Sequence, residues 1–447
     1  MSSPGRVVTA YWNELAHLGD KGVEAGVLVA VDGERISDVR LAVDPPRDAV
    51  RLEGLVIPGL ANAHSHAFQR LLRGRMQSVR GNFWSWRERM YELADRLDPE
   101  SYRQLATATF AEMALAGITT VGEFHYLHHD RGGTRYSDPN AMGRALIAAA
   151  HEAGIRITLL DACYLHGGVG REPRGTQKRF ADADATAWAE RVSELHHAPG
   201  VRVGAAIHSV RAVDPWSANV VAAWAEGRGA PLHAHLSEQP AENQASLDAY
   251  RMTPAAVLAD AGAVGERFTA VHATHLADSD FAVLGRAGST CCLCPTTERD
   301  LADGIGPARR LADSGARLAL GTDSNAVIDM FEEARAVELD QRLATGVRGQ
   351  HSAEELLHAG SAAGHECLGW PDAGRIEPGA LCDLVAIDLD SVRLATADRN
   401  DPIPSLVFAG SAADVRSVIV GGRQIVTDGR HREVEVSALR HWAGELV

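Results

Sequence analysis

Two histidines separated by one residue, His64 and His66, follow the apolar run of LVIPGLANAHSH. Alternate residues of a β-strand point the same way, so both imidazoles can reach one cation. An HxH spacing is weak by itself, because a chain of 447 residues with 20 histidines is expected to hold about one by chance. It gains weight from two residues in equivalent places: His235 at the carboxyl end of PLHAHLS and Asp323 at the end of ARLALGTD. Three imidazole nitrogens and one carboxylate oxygen suit a zinc ion with a position left for water. Asp323 would otherwise bury a charge at the end of an apolar strand, at considerable cost. The alternative, that it caps the following helix, is better filled by Asp329 in front of MFEEARAVE. His233 shares the HAH spacing but lies further from the strand end, so it reads as a core or supporting histidine. Glu238 and His272 also stand at strand ends, and a carboxylate and an imidazole beside an activated water are what hydrolysis needs. The competing reading of His272 is a satisfied core histidine.

Something must bring these separated residues to one place. Between Leu55 and Ala344, short apolar runs alternate with helical patterns, the signature of βα units and a parallel sheet. The runs are LVIPGLAN, ITTVGEF, IRITLLDACY, VRVGAAIHS, PLHAHLS, FTAVHATHL, STCCLCP and ARLALGTD. Eight such strands close into a (β/α)8 barrel, with chemistry at their carboxyl ends. Glu123, His125 and Tyr126 follow the second run, His208 and Arg211 the fourth, and His275 the sixth. Asp98-Pro99, Asp138-Pro139 and Asp214-Pro215 read as helix starts, and Gly117 and Gly154 as helix ends. A doubly wound open sheet would advertise a glycine-rich phosphate loop after its first strand, where this chain has His-Ser-His. Residues 1–56 and 372–447 alternate in β fashion with Asp-Gly and Gly-Gly turns. They are expected to form one composite β-sandwich, leaving 57–371 as the barrel.

The formal charge of −15 argues against nucleic acid or an anionic membrane as partner. An anionic substrate would then need local arginines. The sequence has no apolar run long enough to span a bilayer and no secretory signal pattern, so a cytoplasmic protein is expected. Six cysteines, five of them in or beside apolar strand-like stretches, fit reduced buried thiols. The Cys291/Cys294 CxxC lacks the second pair that a metal site of that type usually requires.

With these residues in place, the chain resembles the amidohydrolase superfamily and, within it, the formimidoylglutamate deiminase family. The similarity is carried by PGLANAHSHAFQR, FWSWRERMYELADRL, AGITTVGEFHYLHH, AIHSVRAV, HAHLSEQPAE, VHATHL, CPTTERDLADGI and GTDSNAVIDMFEE. The first and last are superfamily-wide, whereas FWSWRERMY, EFHYLHH and HSVRAV are more specific. The resemblance implies one zinc ion on His64, His66, His235 and Asp323, with Glu238 and His272 as acid/base groups. It implies Gln69 near the formimino group, Arg87, Tyr126 and Arg211 on two substrate carboxylates, and His208 and Ser324 as nearby polar groups. It further implies a homodimer acting on a small anionic amidine, N-formimino-L-glutamate. Planar guanidinium groups are natural partners for two carboxylates, although Arg87 also reads as a surface residue of an arginine-rich chain. Binuclear relatives bridge their ions with a carboxylated lysine, and the only lysines here, Lys21 and Lys178, lie away from the strand ends. Asn325 departs from the histidine usual after Asp-Ser and is expected to alter the pocket wall. Other readings are a related diacid such as formiminoaspartate, an aminated heterocycle, or a non-catalytic barrel that would have lost some of these groups.

Overall fold

A computed structural model describes residues 9–77, 80–81 and 83–435. The amino-terminal strands are β1 (Thr9–His17), β2 (Val23–Asp32), β3 (Arg35–Arg40) and β4 (Val50–Pro58). The next eight are β5 (Leu60–Ser65), β6 (Ile118–His125), β7 (Arg156–Cys163), β8 (Val201–Ile207), β9 (Leu232–Leu236), β10 (Phe268–His272), β11 (Thr290–Leu293) and β12 (Arg317–Leu320). They pair in parallel in sequence order. β12 returns to β5 through a Ser65–Asp323 bridge. The Asp323 amide donates to His64 O at 2.9 Å, and the His66 amide to Asp323 O at 2.9 Å. The closure of the barrel is thus made by the residues read as metal ligands.

All eight expected barrel strands occur, with one boundary moved. The run LVIPGLAN is two strands in two sheets, β4 ending at Pro58 and β5 starting at Leu60. Between them a Cβ at Gly59 would lie 2.4 Å from Thr119 Oγ1, so only glycine permits this approach. β1–β4 join β13 (Leu384–Ile387), β14 (Val415–Val420), β15 (Arg423–Thr427) and β16 (Arg430–His431) in one mixed sheet, ordered β16-β15-β14-β13-β4-β1-β2-β3. The expected terminal β unit is a single sheet curled over its own core, which includes Tyr11, Val29, Leu52, Leu384 and Ile419. Its β3 edge meets the chain entering β13, where the Ile36 amide donates to Ala380 O and the Cys382 amide to Glu34 O. A buried Arg156–Asp383 ion pair ties it to β7.

Local signals set most helix ends near the site. Asp98 caps α2 (Pro99–Leu115), which follows α1 (Phe83–Ala94), by accepting from the Ser101 amide at 2.8 Å. Asp214 caps Pro215–Arg228, and Gly229 ends that helix in the left-handed region at φ 60°. Asp138-Pro139 is not a helix start: the helix Ala141–Ala153 begins after Asn140, and Asp138 accepts from the Asn140 amide in a turn at 3.0 Å. Asp329 caps Met330–Thr345 through the Phe331 and Glu332 amides. All six cysteines are free and buried. Among the described residues no helix is long and apolar enough to cross a membrane.

Candidate active site

The four residues read as ligands converge at the carboxyl end of the barrel. His64 Nε2 lies 3.2 Å and His66 Nε2 3.3 Å from His235 Nε2. Asp323 Oδ1 lies 3.3 Å from His64 Nε2 and 3.4 Å from His66 Nε2. A tetrahedron with metal–ligand bonds of about 2.0–2.1 Å has edges of about 3.3–3.4 Å, so these separations fit a divalent cation. The protonation pattern fits as well. His66 Nδ1 faces Phe124 O at 2.8 Å and His235 Nδ1 faces His208 O at 2.8 Å. A carbonyl only accepts, so each Nδ1 carries the proton and each Nε2 presents a lone pair. Lone pairs meeting in a buried site repel unless a cation lies between them. Burial holds His64 down to about 3, and His66 and His235 are also lowered, chiefly by burial. Burial works against ionisation of Asp323, but the bond to His64 and the surrounding imidazoles hold its carboxyl well below the usual range. The donor set is therefore neutral imidazoles plus a carboxylate.

The backbone is bent to aim these groups. His272 and Asp323 take φ of 70° and 46°, as do Ser237 at 50° and Asn325 at 57°. Left-handed backbone at non-glycine residues costs roughly 1–3 kcal/mol each and clusters where function needs it. Gly321 permits the approach of β12 to β5, since a Cβ there would meet His64 Cβ at 2.8 Å.

His272 Nε2 lies 3.8 Å from Asp323 Oδ2 and 4.0 Å from Glu238 Oε1, and its Nδ1 lies 3.3 Å from Glu298 Oε1. Burial alone would depress this imidazole; the Glu298 bond and the charges of Glu238 and Asp323 prevail and push it up to about 10. Glu238 Oε2 accepts from Arg211 Nη2 at 2.9 Å, and Arg211 Nε lies 3.2 Å from Glu242 Oε2. Arg211 is thus a partly buried cation already held by two carboxylates.

A cavity of about 410 Å³ opens above the ion position. Of the residues expected to touch substrate, Gln69, Arg87, Tyr126, His208 and Arg211 line it. Gln69 Nε2 donates to Tyr126 Oη at 3.0 Å, and Gln69 Oε1 is buried with no hydrogen-bond partner. Arg87 stacks its guanidinium over Trp84 at 4.5 Å and Tyr91 at 5.5 Å. His208 packs edge-on against Tyr164 and Tyr126. Ser324 does not line the cavity: its Oγ pairs with Thr297 Oγ1 at 3.0 Å beneath the strand ends. Asn325 does not form the pocket wall either. Its side-chain amide donates to Ser65 Oγ, His66 O and Asp323 O, each at 3.1 Å, stitching β12 to β5.

Several strand-end groups face elsewhere. Glu123 accepts from the Ala67 amide at 2.6 Å, and His125 lies against His128 on the far side of β6. Phe124 and Tyr126 alternate with them and take the inner face. His275 donates to Asp303 O at 2.7 Å, and His233 Nε2 to Cys367 O at 3.0 Å. The sequence reading missed Glu298, Glu242 and the loop residue Arg171. Glu298 had a signal, since it follows the seventh strand in CPTTERD; Arg171 lies in an irregular segment with none.

The family model described as "Amidohydrolase family" matches residues 55–425. The chain is 38% identical to the formimidoylglutamate deiminase of Pseudomonas aeruginosa, with 87% of this chain and 88% of that protein covered. It is 30% identical to the 5-methylthioadenosine/S-adenosylhomocysteine deaminase of Natronomonas pharaonis, with 87% and 85% covered. Among solved structures, an amidohydrolase from Brucella melitensis superposes with a TM-score of 0.91 at 34% identity, covering 98% of this chain and 99% of that one.

Proposed function

Since the chain belongs to the amidohydrolase family of hydrolytic enzymes, we propose that it is a zinc-dependent deiminase of a dicarboxylate amidine. The substrate is N-formimino-L-glutamate, a product of histidine degradation, which reacts with water to give N-formyl-L-glutamate and ammonia. The observation that carries this reading is the pairing of a four-ligand cation site with a cavity walled by Arg87, Arg171 and Arg211, in a chain whose formal charge is −15.

A divalent cation, when bound, supplies Lewis acidity that brings the ionisation of water into the neutral range. The chain's own residues do the rest. His272 exchanges a proton with the attacking water, held in place by Glu298 at Nδ1. Carboxylates around it favour the imidazolium, and positive charge added at the ligand cluster favours release of that proton. Glu238, a carboxylate oriented by Arg211, takes the second proton of the attacking water and passes it to the nitrogen that departs as ammonia, and His272 returns the first. Gln69 Oε1, unsatisfied in the cavity wall, accepts from an amidine N–H. Tyr126, Tyr164 and Phe180 exclude water from the reacting carbon.

A second reading, deamination of an aminated heterocycle, draws support from that same aromatic lining. Ammonia release in a coupled assay separates the two. N-formimino-L-glutamate is expected to exceed formamidine, which lacks both carboxylates, in kcat/KM by at least about a hundredfold, since an unmatched buried ionic partner costs about 2–5 kcal/mol. An aminated purine turned over faster than the dicarboxylate would replace this reading with the second. One ion per chain is also expected, because Lys21 and Lys178 sit in 3-10 turns away from the barrel strands. Elemental analysis after gentle dialysis should give about one zinc-like ion per chain; two tightly held ions at the site would contradict this.

A further inference from the structure

The charges around the cavity do not balance if Arg211 is its main anion clamp. One guanidinium there already faces both Glu238 and Glu242, so Arg211 cannot by itself balance two substrate carboxylates. The other two cavity arginines differ. No carboxylate pairs with Arg87 or Arg171 among the described residues, and Arg87 has only its aromatic stack.

Arg171 is exposed at the rim, on the segment that follows β7. Its backbone is built into a tight turn: the Gly167 amide donates to Arg171 O at 2.8 Å and the Arg171 amide to Gly168 O at 2.9 Å. The root of the segment is bound to the barrel through the Leu165 and His166 amides, both donating to Ala212 O. Gln177 Nε2 bridges Gly167 O and Tyr91 Oη, each at 3.3 Å, and Tyr91 is one of the rings under Arg87. The two unpaired guanidinium groups therefore ride on one connected frame. His166, another basic group in that segment, is occupied by Asp214 at 3.2 Å, and Arg174 does not line the cavity.

From this we infer that Arg171, together with Arg87, binds the γ-carboxylate of the substrate and is a specificity-determining residue for dicarboxylates. The inference rests on the proposed diacid reading. With the amidine over the ion position, the α-carboxylate is attached one atom from the amidine nitrogen and stays on the floor near Arg211 and Tyr126. The γ-carboxylate, three carbons further along, points to the rim.

The test is calorimetric binding of N-formyl-L-glutamate and of N-formylglycine, which lacks the γ-carboxylate, to the metal-loaded protein. Arg171→Gln is expected to weaken N-formyl-L-glutamate by about tenfold or more while N-formylglycine changes by less than about twofold, and Arg171→Lys to recover part of the loss. Arg171→Gln binding N-formyl-L-glutamate as tightly as the native protein would overturn the inference, and so would equal weakening of both ligands. A native protein that does not prefer the diacid would instead overturn the diacid reading and take the inference with it.

Discussion

Asp323→Asn is expected to empty the cation site and abolish measurable turnover while the barrel stays folded. Asparagine is the informative replacement because residue 323 has φ 46°, a conformation that asparagine adopts more readily than alanine, and because it keeps the size of the side chain. The backbone bonds that Asp323 makes to β5, through its amide to His64 O and its carbonyl to the His66 amide, survive the change. What is lost is the carboxylate charge facing the imidazoles, with Oδ1 3.3 Å from His64 Nε2. Removing one partner of a buried charge costs about 3–5 kcal/mol, or roughly two to four powers of ten in affinity for the ion. Metal content after dialysis and the thermal melting curve together check this. A variant that keeps its ion and its turnover would mean that Asp323 serves barrel closure alone.

Glu238→Gln is expected to lower turnover by at least about a hundredfold with the ion still bound, since general acid–base groups contribute about 10²–10⁴. The amide keeps an oxygen that can accept from Arg211 Nη2, now 2.9 Å from Glu238 Oε2, so the shape of the cavity floor is retained. A fall in kcat with little change in KM would place the loss in the chemical step. Near-normal kcat would make Glu238 only an anchor for Arg211. Loss of the ion as well as of activity would make it part of the ligand set. Single-turnover measurement of ammonia formation distinguishes the first two outcomes even when product release limits the steady state.

Both substitutions fall on residues that were legible before any tertiary information. Strand periodicity and turn residues are local properties, and they place the eight runs and the residues at their carboxyl ends. A closed parallel barrel then has one mouth, and His64, His66, His235 and Asp323 must all reach it. The resemblance of HAFQR, WSWR, EFHY and HSVR to a known family implies Gln69, Arg87, Tyr126 and Arg211 as substrate contacts, and the structure lines the cavity with all four. The same resemblance also pointed to Ser324, which the structure turns toward Thr297.

Other features depended on which face a side chain takes or on segments distant in the chain. Glu123 and His125 are titratable groups at a strand end like their neighbours, but the two-residue period of β6 turns them outward and gives the cavity Phe124's side of the strand. The position of Asn325 after Asp-Ser suggests the pocket wall, yet its left-handed backbone turns the amide back across β5. The pairing of Arg211 with Glu238 and Glu242 requires the turn after β8 to meet the turn and helix after β9. Glu298 lies 26 residues beyond the His272 it supports. The sequence by itself determined the barrel strands and the candidate ligands and acid/base groups at their carboxyl ends, because hydrophobic period and capping act within a few residues. Only the tertiary structure decided which of those groups face the cavity and which arginines remain unpaired there, because burial and charge pairing depend on distances between segments the chain does not hold adjacent.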